Sequence, residues 1–221
     1  MKSEYVLLGK SSFAIAIIVD ILKTKFNVSS VDIVSNIEDA ENDSLIFDYK
    51  INDVVYNEYS HEEYQFNENS KVVIASIGKS RKKIYDFFKK IYPIEENNFI
   101  DIVHPSSLIT SEVKHGYGFH LSPMSQVSPF TTIGNFVVIN RNVSIGHHNI
   151  IEDFVTINPG VNIAGCCRIE ENTVIGLGTT VLDKVTIGKN TIIGAGSVVT
   201  RSIPDNVIAY GSPAKIIREN K

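Results

Sequence analysis

The chain has 221 residues, enough for one large or two modest domains. A formal net charge of −4 and a pI near 5.9 argue against a nucleic-acid partner, which needs a basic surface. The charge is uneven, with 12 basic and 17 acidic residues in 1–102 against 9 and 8 in 103–221, so an anionic ligand must rely on local groups rather than a long-range field.

Residues 5–9 (YVLLG) read as a buried strand, and the turn Gly9-Lys10-Ser11-Ser12 leads into a helix over roughly 12–25. The apolar run Ser12–Leu22 carries Asp20, lacks a cleavage site and is too short to span a membrane, so a soluble buried helix is expected. Residues 31–34 (VDIV) form a second strand. Asp39 to Asn69 is acidic and tyrosine-rich, with short strands expected at Leu45–Tyr49 and Val54–Tyr59. Lys71–Ile77 is another strand, Gly78–Ser80 a turn, and Arg81–Ile91 a helix with Ile84, Phe87, Phe88 and Ile91 on one face. Strand and helix in alternation predict a small, Rossmann-like parallel α/β domain over 1–102.

From Val103 to Pro204 the chain repeats every six residues without an insertion. An aliphatic residue opens sixteen of seventeen consecutive hexads, and only His115 breaks the row. Such a period marks a parallel β-helix, three hexads closing a triangular coil of about 18 residues whose coils stack at roughly 4.8 Å. The hexad-opening aliphatics point inward. A second inward position four residues later holds Val137, Val143, Val155, Val161, Thr173, Thr179, Val185, Thr191 and Ser197. Glycine follows the aliphatic at Gly134, Gly146, Gly176, Gly188 and Gly194, where the corner is expected to need unusual backbone angles. His115 is expected in a loosened coil near Tyr117-Gly118-Phe119. A tail, 205–221, follows with Pro213, Lys215 and Arg218.

The chain's cysteines, Cys166 and Cys167, are adjacent. Neighbours rarely bridge, so they read as reduced thiols in a cytoplasmic protein, with Cys167 in the core. Gly9-Lys10-Ser11-Ser12 is placed to hold a diphosphate at a helix start, although one glycine stands where a dinucleotide fingerprint has three. A plain turn capped by Ser11 or Ser12 fits equally well. Gly78-Lys79-Ser80-Arg81 opens a second helix at the same sheet end and adds two cations. His147 and His148 occupy the third and fourth hexad positions, which face outward near a corner; a solvated pair and a catalytic site both remain open. No other His or Cys has matching spacing, so no metal is expected.

The α/β start, the run IGHHNIIEDFVTINPGVNIAG and the ending IPDNVIAYGSPAKII together resemble the bacterial hexapeptide-repeat sugar acyltransferases. The likeness is to N-acetyltransferases of nucleotide-linked amino sugars and, beside them, to sialic acid O-acetyltransferases. It is strong over 103–221 and loose over 1–102. The resemblance implies a left-handed β-helix, a homotrimer, and acetyl-CoA held between subunits. It also implies a UDP-, dTDP- or GDP-amino sugar as acceptor, a cytoplasmic role in cell-surface glycan (lipopolysaccharide or O-antigen) biosynthesis, and no membrane or nucleic-acid partner. It carries the general base to His147, with His148 where many relatives have a carboxylate, and sugar contact to Asn140, expected toward the same corner. Acetyl-CoA contact goes to Thr156, where relatives have a second histidine, and to Ala164, Gly165, Gly178, Lys184 and Pro213. The Gly165 amide matches the group that holds the acetyl carbonyl. Nucleotide contact goes to Gly9, Lys10, Ser11, Ser12, Gly78 and Lys79. Sugar O-acetylation, or nucleotide-sugar binding without catalysis, are the alternatives the residues leave.

Overall fold

The computed structural model describes residues 2–36, 48–76, 78 and 80–220. It divides into two compact units, Met1–Ile102 and Val103–Lys221.

In the first unit β1 (Tyr5–Leu8) leads to α1 (Ser12–Phe26), then β2 (Ser30–Ser35), β3 (Val55–Ser60), β4 (Lys71–Ile74) and α2 (Ser80–Ile91). The sheet is parallel throughout and ordered β3-β2-β1-β4, so its order reverses between β1 and β4, the switch point where such sheets open a crevice. All four β1 residues are buried, which is why this strand reads as an unbroken apolar run rather than an alternation. Helix α1 buries Ala14, Ile15, Ile18, Val19, Ile21 and Leu22. None of the described helices is long and apolar enough to cross a membrane. The buried stripe of α2 is Arg81, Ile84 and Phe88; Phe87 is half-buried and Ile91 exposed at the helix end, so the expected face is shifted by part of a turn. Asp48 and Tyr49 lie in no strand, and 45–47 fall outside the described residues. Periodicity gave no sign of Asp32, a fully buried carboxylate that accepts from the Ser3 amide, Asn57 Nδ2 and Tyr64 Oη. Burial, then the Asp32 charge, pushes the Tyr64 phenol up.

The second unit is a left-handed parallel β-helix. Its first face stacks Ile102–Val103, His120–Leu121, Val138–Ile139, Thr156–Ile157, Val174–Ile175 and Ile192–Ile193. The second stacks Leu108–Ile109, Gln126–Val127, Ser144–Ile145, Asn162–Ile163, Thr180–Val181 and Val198–Val199. The third stacks Lys114–His115, Thr132–Ile133, Ile150–Ile151, Arg168–Ile169 and Thr186–Ile187. Register joins residues eighteen apart, as in Ile133 with Ile151 and Ile145 with Ile163, so three hexads make one turn. The aliphatic residues and their small second partners fill one continuous core.

Two expectations are corrected. The glycines after the aliphatic residues are not there for backbone angles. The left-handed residue of a coil is the fourth of its hexad, as at Phe130, His148, Cys166 and Lys184 with φ of 62, 56, 60 and 59°. The second-position glycines answer to close approach instead: a Cβ on Gly176 would lie 2.5 Å from the Ala195 amide and the Ile193 carbonyl of the next coil. His115 does not loosen its coil, since Lys114–His115 pairs in register with Thr132–Ile133. Its strand ends the third face, so no further coil covers it, and the exposed ring stacks on Phe119.

Asn149 holds the second inward position of its hexad and is fully buried. Its Nδ2 donates to the Gly146 and Ala164 carbonyls and its Oδ1 accepts from the Cys167 amide. Beyond Pro204 the tail is ordered: Val207–Gly211 extends the first face in parallel and Ala214–Glu219 folds back on it antiparallel.

Candidate active site

His147 and His148 lie on the edge between the second and third faces, both exposed. Ile145 ends a strand and Ile150 begins the next, so the two residues form the corner, and the left-handed backbone at His148 turns its side chain out along the edge. The rings meet almost perpendicularly at 87°, with Nδ1 to Nδ1 at 3.0 Å. The His148 ring rests on Phe130 of the preceding coil, centroids 4.9 Å apart. The His147 ring lies over Gly165 of the following coil. A Cβ there would fall 2.7 Å from His147 Cε1 and 2.9 Å from Nε2, so only glycine leaves room for the imidazole. The Gly165 amide has no acceptor among the described residues.

The stack sorts the other candidates onto edges. Ala164, Gly165 and Lys184 share the edge of His147; the Lys184 amide donates to the Gly165 carbonyl. Asn140 does not point toward that corner. One hexad is one side of the triangle, so Asn140 opens the edge between the first and second faces, with Asn158 and Gly178 above it. Thr156 sits on the first face beside that second edge, buried, its hydroxyl without a hydrogen bond. Pro213 follows a cis peptide bond in the turn after Gly211, whose amide donates to Ser197 Oγ near the far end of the same edge. Cys166 is exposed one coil beyond His148; Cys167 is buried, and burial pushes its thiol up. Neither imidazole makes an ion pair among the described residues, and no cluster there could hold a metal.

The second face lies between these two edges. Its outward residues Leu108, Gln126, Ser144, Asn162, Thr180 and Val198 carry no charge, whereas the third face presents Lys114 and Arg168. A shallow groove of about 500 Å³ crosses it beside Leu108, Met124, Gln126 and Asn162.

In the first unit, the loops after β1 and β4 meet at the carboxyl end of the sheet. The Ser11 amide donates to the Ala75 carbonyl, and Ser76 and Ser80 hydroxyls bond at 2.6 Å. Gly9 has a φ of 99°, and a Cβ on it would meet Ile84 Cδ1 at 3.0 Å. Ser11 takes the N-cap place of α1 and Ser12 the first helical one, but no side chain caps the helix. Lys10 pairs at 3.1 Å with Glu58, which accepts from Tyr49 Oη at 2.7 Å. The Tyr49 bond, then Lys10, holds the Glu58 carboxyl below the usual range; burial, then Glu58, pushes the Tyr49 phenol up to about 12. Sequence pattern did not reveal Glu58 as a partner of Lys10. Gly78 is a turn residue at φ 58°, and Lys79 lies outside the described residues. Arg81 does not add its cation to this crevice: it is 3 % exposed, and burial pushes its guanidinium down to about 10.

Residues 166–201 match the family described as bacterial transferase hexapeptide (six repeats). No curated protein matches the chain. Among solved structures, the acetyltransferase domain of PglB from Neisseria gonorrhoeae, in complex with acetyl coenzyme A, is 18% identical with a TM-score of 0.79, over 96% of this chain and 98% of that one. WeeI from Acinetobacter baumannii is 24% identical at a TM-score of 0.79, over 96% and 99%. A mutant of perosamine N-acetyltransferase from Caulobacter crescentus, in complex with CoA and GDP-perosamine, is 22% identical at 0.77, over 97% and 96%. At these identities the likeness establishes the fold along nearly the whole chain.

Proposed function

We propose that this chain is an acetyl-CoA-dependent N-acetyltransferase acting on the amino group of a nucleotide-linked amino sugar, with His147 as general base. The observation that carries the reading is the seating of His147. Its imidazole stands exposed at an edge, over a glycine whose amide has no acceptor among the described residues. The two-unit fold is shared with proteins whose names state acetyl coenzyme A, CoA and GDP-perosamine as their ligands, which supports the choice of both substrates. A role in cell-surface glycan synthesis follows from that substrate class, and the free thiols agree with the cytoplasm.

In this mechanism the sugar amine attacks the thioester carbonyl. His147 Nε2 takes the amine proton as the C–N bond forms, and the Gly165 amide donates to the oxyanion that develops. The C–S bond then breaks, and the thiolate leaves as CoA after taking up a proton. An imidazole suits the task because histidine exchanges protons in the neutral range. Lys10, Ser11 and Ser12 with Gly9, and also Gly78 and Lys79, would hold the nucleotide.

A homotrimer completes the site. With the uncharged second face turned to a threefold axis, the His147 edge of one copy meets the Asn140 edge of the next. Asn140, Thr156, Gly178 and Pro213 would then face His147 across the seam, which one chain alone cannot achieve.

Thiol release from acetyl-CoA, measured against a panel of UDP-, dTDP- and GDP-amino sugars, tests the activity. His147→Ala is expected to lose about 100- to 10,000-fold in kcat with assembly unchanged, the usual worth of a general base; full turnover would remove His147 from the mechanism. Mixing His147→Ala with Asn140→Ala subunits at random should restore about a quarter of wild-type sites if each is shared. No recovery would place both residues in one chain's site.

A further inference from the structure

His148 follows His147 in the chain, and its Nδ1 lies within hydrogen-bond reach of its neighbour's. We propose that His148 is a positioning residue: its Nδ1 accepts a hydrogen bond from the Nδ1–H of His147, which leaves the lone pair of His147 on Nε2. The inference rests on His147 acting as the base and adds how its tautomer is set.

Four observations converge on it. The two Nδ1 atoms are 3.0 Å apart, and this is the hydrogen bond each ring makes among the described residues. One nitrogen must donate and the other accept, because two lone pairs or two protons would repel. Only one of the two arrangements is productive. If His148 donated, the proton of His147 would sit on Nε2, and that nitrogen could not take a proton from the amine. The rings are also held from both sides. Phe130 supports His148 at 4.9 Å, and the missing side chain of Gly165 lets Cε1 and Nε2 of His147 lie over that glycine. The backbone at His148 is held in the left-handed region at φ of 56°, as at Phe130 and Cys166 in the coils on either side. Neither ring makes an ion pair among the described residues, and none of those residues besides His148 takes a hydrogen bond from the His147 Nδ1.

During the reaction the proton taken from the amine goes to His147 Nε2, and the resulting imidazolium keeps its Nδ1–H on His148. His148 gains and loses no proton. It fixes the ring plane and accepts a bond that strengthens when its partner becomes charged.

Long-range proton–nitrogen NMR on the intact protein at alkaline pH, without substrate, reads the tautomers directly. The expected result is His147 protonated on Nδ1 and His148 on Nε2; His147 protonated on Nε2 would overturn the proposal. His148→Leu, which offers no acceptor, should lower kcat roughly 10- to 100-fold with KM for acetyl-CoA little changed, the size of one hydrogen bond to an ion. His148→Asn tolerates the left-handed backbone and offers an amide oxygen, and should recover most of that loss. Unchanged kcat in His148→Leu, or an Asn variant as slow as Leu, would overturn the proposal. Folding of each variant is checked by its melting midpoint. The assays separate the two readings: a fully active His147→Ala removes the base itself, whereas an inactive His147→Ala beside a fully active His148→Leu removes only the role of His148.

Discussion

Gly165→Ala probes the seat of the imidazole proposed as general base, that of His147, with a single carbon. The new Cβ would lie 2.7 Å from His147 Cε1, 2.9 Å from Nε2 and 3.2 Å from Nδ1. Carbon atoms rest at about 3.5–4.0 Å, so the ring must retreat by about 1 Å. Gly165 lies outside the left-handed region, so alanine brings no backbone strain. His147 is exposed and can swing outward, at a cost of about 0.5–1.5 kcal/mol for a side chain forced off its rotamer. The fold should therefore survive, with a melting midpoint lowered by only a few degrees. Catalysis should not: a base displaced by about 1 Å loses on the order of 100-fold. The Gly165 amide is retained, so the proposed oxyanion donor is kept and the loss reports on the proposed base. Thiol-release kinetics beside a thermal melt of the same sample make the measurement. Wild-type kcat in a folded Gly165→Ala enzyme would refute the idea that His147 works from this seat.

Other outcomes follow from the same geometry. Gly176→Ala should cost about 1–3 kcal/mol or more, because its Cβ meets backbone at 2.5 Å; Gly178→Ala, with open space but a φ of 66°, should cost about 1–2 kcal/mol. A wild-type urea midpoint for Gly176→Ala would contradict the close approach at this glycine, and one for Gly178→Ala the need for its left-handed backbone. Asn149→Val takes a partner from the Cys167 amide and the Ala164 carbonyl, at about 1–3 kcal/mol for each group left unpaired in the core; a midpoint at or above wild type would show that the interior tolerates the change. Glu58 has its carboxyl lowered in the folded state, so its contribution to stability is present above the ordinary carboxylate range and lost as pH falls through the lowered value. With Lys10 and Glu58 side chains 35% and 37% exposed, that contribution is a few tenths of a kcal/mol. Urea titrations of wild type and Glu58→Gln should therefore differ slightly at neutral pH and converge in acid; a gap that widened in acid would reverse the sign.

What the amino-acid sequence determined by itself was everything that repeats. A six-residue period is a local signal renewed in hexad after hexad, so it specified the β-helix, its register, both inward positions and the outward placing of His147 and His148. The parallel α/β order of the first unit was legible in the same way, from an unbroken apolar strand followed by an amphipathic helix. What only the tertiary structure decided were meetings across closure. Stacking brings residues eighteen apart into contact, which seats His147 on Gly165 and braces His148 on Phe130. Closing the triangle in three sides puts Asn140 on a different edge from His147, though the two are only seven residues apart. The sheet order, not any motif, delivers Glu58 to Lys10. A period states which way a side chain faces, because that depends on its own backbone; which group it faces depends on where the chain returns.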